Sequence, residues 1–117
     1  MSDKTVILKK NNNIAIVTLN RPDKANTINL DLVKDLYDAF KDCHHDDNIR
    51  AVVFTGNGSM FSAGGDLSAF LAASDNLGSL VTDMTTYFHL AVTLMHRMEK
   101  PIVVAINGTA AGGGLSL

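Results

Sequence analysis

The feature that most constrains this chain is a repeated juxtaposition. "IRAVVFTGNGSMFSAGGDL", Ile49 to Leu67, and "PIVVAINGTAAGGGLSL", Pro101 to Leu117, each run from a short apolar stretch straight into glycines. Apolar runs of this length suit strands buried on both faces. Between them, "SDNLGSLVTDMTTYFHLAVTLMHRMEK" reads as a long helix, with Leu77, Leu80, Val81, Met84, Phe88, Ala91, Val92, Met95 and Met98 marking its buried side. Lys100 and Pro101 end it. A strand, a helix and a second strand in that order favour a crossover with parallel pairing, hence an α/β fold.

The segment before the first run adds two elements. "TVILKK" and "IAIVTLN", separated by "NNN", predict a β-hairpin. "RPDKAN" reads as a polar loop, after which Thr27 or Asn29 can cap a helix. Leu30, Val33, Leu36, Tyr37, Phe40 and Cys43 recur at three- and four-residue steps and predict one buried stripe. The helix ends in "HHDDN". Asp66 can cap a short helix running through Phe70 to Ala73.

The 117 residues allow one domain with a modest core, and 46% hydrophobic with 19% charged residues is an ordinary globular balance. A net charge of −2 with mixed signs gives no basic face, so nucleic acid is not an expected partner. No run reaches membrane-span length, and no signal peptide is legible at the N-terminus. With a single cysteine, Cys43, a disulfide scaffold is excluded and a cytoplasmic location is expected. The sequons at Asn57 and Asn107 then read as turns.

Glycine lets backbone approach a ligand closely, and unpaired backbone N–H groups attract negative charge. Two facing loops would offer two donors to one oxygen, an oxyanion hole. Tight turns alone are the bland alternative. No G-K-[ST] follows either loop, so a P-loop is excluded, and "GNGSMF" lacks the third glycine of a dinucleotide fingerprint.

"IAIVTLNRPDKANTINLDLVKDLYDAF", together with the two glycine-bearing stretches, resembles the N-terminal part of the crotonase superfamily, the enoyl-CoA hydratase/isomerase family. The resemblance implies a spiral of ββα units, with residues 1–117 as an incomplete N-terminal part of a single domain, cut in the first turn of a helix. It implies an acyl thioester of coenzyme A as substrate, no prosthetic group, and a homotrimer or hexamer for the full-length protein. The backbone N–H groups of Gly65 and Gly113 would form the oxyanion hole. Lys24 and Ala25 would touch the CoA nucleotide, and Ala63, Asp66 and Leu67 would line the adenine and pantetheine side. A solvated loop lysine is the alternative for Lys24, and a plain helix cap for Asp66.

Hydratases of the family carry a glutamate where this chain has Ser116. Serine has no useful acid–base strength near neutral pH. Single-acid chemistry of the isomerase type is therefore favoured over hydration of a 2-enoyl-CoA, with an inactive CoA-binding module as a further alternative. The 117-residue piece by itself is expected to be inactive. No metal site is expected: His44 and His45 sit at a helix exit and read as solvated residues. His89 and His96 share a helix face and read as surface or core histidines, although one can border an acyl pocket. Met84, Met95 and Met98 read as core.

Overall fold

A computed structural model describes residues 5–110, with the backbone only at Leu67, Ser74 and Thr109. Strands β1 (Val6–Asn11) and β2 (Ile14–Leu19) form the expected antiparallel hairpin. Its turn, Asn12 and Asn13, places Asn12 at φ 56°, a left-handed conformation that asparagine tolerates well. Helix α1 (Leu30–His45) begins at Asn29, whose side chain accepts from the Leu32 N–H at 2.9 Å. Then follow β3 (Ala51–Gly56), β4 (Met60–Ser62), α2 (Leu67–Ala72), α3 (Leu77–Arg97), β5 (Ile102–Ala105) and β6 (Thr109–Ala110).

The four-stranded sheet has the order β1-β2-β3-β5. β2 pairs with β3, and β3 with β5, all parallel, so each step is a helical crossover. β4 pairs with β6, also parallel, in a separate two-stranded sheet. The order is thus two strands and a helix, two strands and helices, then two strands again.

The core lies between this sheet and α1. Val17, Leu19, Leu32, Val33, Leu36, Phe40, Val52 and Phe54 are fully buried. Phe54 is wedged edge-on between Phe40 and Phe61, with ring centroids 5.4 and 5.3 Å away. Burying side chains of this size contributes roughly 1.5–3 kcal/mol each. α3 lies across α1 through Ala91, Met84 and an edge-on pair of Tyr37 and Tyr87 at 6.4 Å. Lys100 clasps the end of α1, its Nζ donating to the carbonyls of Cys43 (2.5 Å) and Asp46 (2.6 Å), where the helix dipole favours a cation. Burial pushes the Cys43 thiol up, as suits an inert core cysteine.

Several expectations need correction. The polar "RPDKAN" segment contains a 3-10 turn at Pro22–Lys24. The long helix is broken: Ser74–Asn76 form a separate 3-10 turn, and α3 ends at Arg97 because Met98 is already extended before Pro101. Its buried side is narrower than the periodicity implies. Within α3 only Met84 and Ala91 are buried, while Leu77 and Val81 are exposed, because among the described elements α3 packs chiefly on α1. On α1, Leu32 and Ala39 join the buried stripe. β3 is not buried on both faces: Val52, Phe54 and Gly56 are buried, and the alternate residues are half-covered. β5 sits beyond β3 at the end of the strand order, and its Val103 is 58% exposed. Finally, β4 and β6 stand where the sequence suggests only glycine-bearing loops. Strands of three and two residues are too short to show a period.

Candidate functional site

The first glycine-bearing stretch is stitched to the polar segment before α1. Asn26, with no solvent exposure, is the central staple. Its Nδ2 donates to the carbonyls of Asn57 (2.9 Å) and Met60 (2.8 Å), and its Oδ1 accepts from the Arg21 N–H at 2.7 Å. These bonds hold Asn26 at φ 52°, beside Ala25 at φ 54°. Left-handed backbone at a residue bearing a side chain costs roughly 1–2 kcal/mol, which the bonds offset.

From there the two segments run side by side. The Ala63 N–H donates to the Ala25 carbonyl at 3.0 Å. The Ser62 hydroxyl donates to the Asn26 carbonyl (2.8 Å) and accepts from the Gly64 N–H (3.2 Å). The Ile28 N–H donates to the Gly64 carbonyl (2.6 Å), and the Asp66 N–H donates to the Ile28 carbonyl (3.0 Å). Gly64 makes this path possible at φ 92°, where a side chain would be strained.

This register decides where the Gly65 N–H points. It shares a planar trans peptide with the Gly64 carbonyl, which faces Ile28. The N–H lies opposite that carbonyl and so points away from Ile28. Gly65 lines a cavity of about 270 Å³ together with Ile28, Val33, Met84, Thr85, Phe88 and His89. A mostly apolar hollow of this size can hold an acyl group. A second hollow of about 440 Å³, no more open than the first, is lined by Tyr37, Thr86, His89, Leu90, Thr93, Leu94 and Arg97, and so shares His89.

Asp66 is committed structurally. Its Oδ1 accepts from the Ala69 N–H (3.2 Å), capping α2 as expected, and its Oδ2 accepts from Arg21 Nη2 (3.0 Å). The two side chains of this ion pair are 14% and 12% exposed. Burial by itself would push the Asp66 carboxyl up. The Ala69 N–H, the Arg21 hydrogen bond and charge, and the Ser68 N–H outweigh it and hold the carboxyl below its usual range. Asp66 therefore stays ionised and is poorly placed as a general base.

The structure thus brings Ala25, Ala63, Gly65 and Asp66 together. Lys24 ends the 3-10 turn beside them and is exposed. Leu67 opens α2, with only its backbone described. Gly113 and Ser116 lie outside the described residues. His89 does border the cavity, whereas His96 lines neither the cavity nor the second hollow. His44 and His45 stack edge-on at the end of α1, and no group of three metal-ligating side chains converges among the described residues. Sequence reading missed Arg21 and Asn26. The only signal was their place in "NRPDKAN", because a polar residue in a polar loop gives no hint of burial. Of the sequon asparagines, read as turns, Asn57 lies in a bend and Asn107 in irregular backbone, and both tie segments together. Asn57 Nδ2 donates to Asn20 Oδ1 (2.9 Å), and Asn107 Nδ2 donates to the Gly58 carbonyl (2.8 Å).

Two successive β-β-α units followed by a further pair of strands match a crotonase-type fold. The sequence profile of the enoyl-CoA hydratase/isomerase family matches residues 9–117, and the chain belongs to that family. It is 32% identical over 117 residues to "4-chlorobenzoyl coenzyme A dehalogenase-2" of an Arthrobacter species, covering 99% of this chain and 42% of that protein. It is 38% identical over 111 residues to "Probable enoyl-CoA hydratase 1, peroxisomal" of Arabidopsis thaliana, covering 95% of this chain and 40% of that protein. A solved structure from Pseudomonas aeruginosa superposes with a TM-score of 0.89 at 33% identity, covering 98% of this chain and 49% of that one. The chain therefore spans less than half the length of these relatives. No described helix is long and apolar enough to cross a membrane.

Proposed function

We propose that this chain is the N-terminal part of one domain of an acyl-CoA-processing enzyme, and that it supplies both donors of an oxyanion hole, the backbone N–H groups of Gly65 and Gly113. The observation that carries this reading is the pairing of β4 with β6. Ser62 and Ala110 are partners in a parallel register, and Gly65 and Gly113 each lie three residues beyond that rung. Parallel strands leave a shared rung in one direction, so the two glycine loops start side by side. Two such donors stabilise the charge that develops on a thioester carbonyl as an enolate forms, and losing one typically costs about 3–4 kcal/mol of transition-state stabilisation.

Coenzyme A would lie along Lys24, Ala25, Ala63, Asp66 and Leu67, with Lys24 meeting a phosphate as a point charge. The Asp66 carboxylate is already held by Arg21 and Ala69, so Asp66 would contribute through its backbone. Ser116, standing where hydratases of the family carry glutamate, favours isomerase-type chemistry with one carboxylate supplied from elsewhere in the protein. We further propose a homotrimer or hexamer of the full-length protein, in the cytoplasm.

The test is the absorbance of enoyl-CoA thioesters mixed with full-length protein. Conversion of a 3-enoyl to a 2-enoyl thioester is the expected result. Loss of the 2-enoyl absorbance would mean hydration. Binding with neither change would leave a CoA-binding module.

A further inference from the structure

Arg21 is a partly buried cation in a loop, 45 residues from its partner Asp66, and nothing in the proposed chemistry uses it directly. Its fork reaches two places at once. Nη1 donates to the Thr27 carbonyl at 2.7 Å, and Nη2 to Asp66 Oδ2 at 3.0 Å. Thr27 is the residue before Ile28, and Asp66 the residue after Gly65. Ile28 and Gly65 are the two residues of the bridge that aims the Gly65 N–H.

The need for such a device follows from the local sequence. Gly64 and Gly65 carry no side chains, so the loop's orientation rests on its flanks. Upstream, the Ser62 hydroxyl ties the loop to the Asn26 carbonyl. Downstream, the Asp66 carboxylate is the first side-chain anchor. An ammonium is a single point charge, whereas the planar guanidinium can hold a carbonyl and a carboxylate in fixed relation.

We propose that Arg21 is a positioning residue for the Gly65 donor, acting through Asp66: it locks the Thr27–Ile28 backbone to the Gly65–Asp66 backbone and so fixes the direction of the Gly65 N–H. The proposal rests on the oxyanion reading of Gly65 given above.

The experiment is infrared difference spectroscopy of a carbon-13-labelled thioester carbonyl, bound as an acyl-CoA to the full-length protein. It is run beside steady-state kinetics on the wild type, Arg21→Lys and Asp66→Asn. Asp66→Asn keeps the size of the side chain and an oxygen able to cap α2, so it carries the test if Arg21→Lys does not fold. In the wild type, binding moves the carbonyl stretch to lower frequency. The variants are expected to bind the thioester but to lose much of that shift, with kcat falling on the order of tenfold to a hundredfold and KM little changed. A folded variant with the full wild-type shift and kcat, whatever its melting temperature, overturns the proposal and leaves the ion pair merely structural. A wild-type protein that binds the thioester without shifting the carbonyl overturns the oxyanion reading itself, and this inference with it. The two failures are told apart by which protein shows them.

Discussion

The region around α1 and the region around β5 start from similar sequence material and end in different states. "LVKDLYDAF" and "IRAVVF" place their apolar residues in a dry core, where Leu36, Phe40, Val52 and Phe54 have no exposure. "PIVVAI" is as apolar, yet Val103 and Ile106 are 58% and 63% exposed. The difference lies in neighbours. β3 has β2 on one side and β5 on the other, and its Phe54 meets α1 through Phe40. β5 has only β3 beside it in the described sheet. A hydrophobic run states what a segment can bury; the elements packed on it decide what is buried.

The largest expected effect falls on the dry side. Phe54→Ala removes the middle ring of the Phe40–Phe54–Phe61 stack and should cost about 3–5 kcal/mol in denaturant unfolding. A loss below about 1 kcal/mol would mean that this core is less tightly packed than its burial implies. Next, Asn26→Ala removes the Asn26 partner of the Arg21 N–H and of the Asn57 carbonyl, and leaves the Met60 carbonyl with the longer bond from Asn107 Nδ2, beside the first glycine loop. It should cost about 1–3 kcal/mol, and a neutral result would show that water reaches those groups.

The ion pair offers a pH-dependent version of the same comparison. The Asp66 carboxyl is held below its ordinary range in the folded protein, so the unfolded chain binds the proton more readily. Its contribution is therefore complete above the ordinary carboxylate value and is lost as pH falls through the lower, folded one. Wild-type stability should decline in this acid range more steeply than that of Asp66→Asn, as followed by unfolding at stepped pH. Parallel slopes would show that the carboxylate is unperturbed. The smallest effect is expected at β5. Val103→Thr should change the stability of the 117-residue chain by less than about 0.5 kcal/mol. A cost near that of Phe54→Ala would erase the contrast between the two regions.

Much of the fold was legible along the chain, for identifiable reasons. The hairpin showed itself in two β-rich runs around asparagines, and α1 in its three- and four-residue steps with a cap at Asn29. The cap at Asp66 was also legible, because a short polar residue before an apolar run has few other uses. The site was only partly legible. Gly65 stood out as glycine, but Arg21 and Asn26 did not, since nothing local says that a polar loop will be buried under another segment. β4 and β6 escaped because strands of their length carry no period and exist only as partners of each other.

The sequence by itself determined the hairpin, the periodicity of α1 and the helix caps at Asn29 and Asp66. Those depend on sterics and hydrogen bonds within a few residues. Only the tertiary structure decided that β4 and β6 lie side by side, that Asn26 and Asp66 are buried with Arg21 paired to Asp66, and that one face of α3 and the end of the described sheet stay exposed. Those outcomes depend on contacts between residues far apart in the chain, such as Asn26 with Asn57, Arg21 with Asp66, and β4 with β6. No local window along the chain contains them.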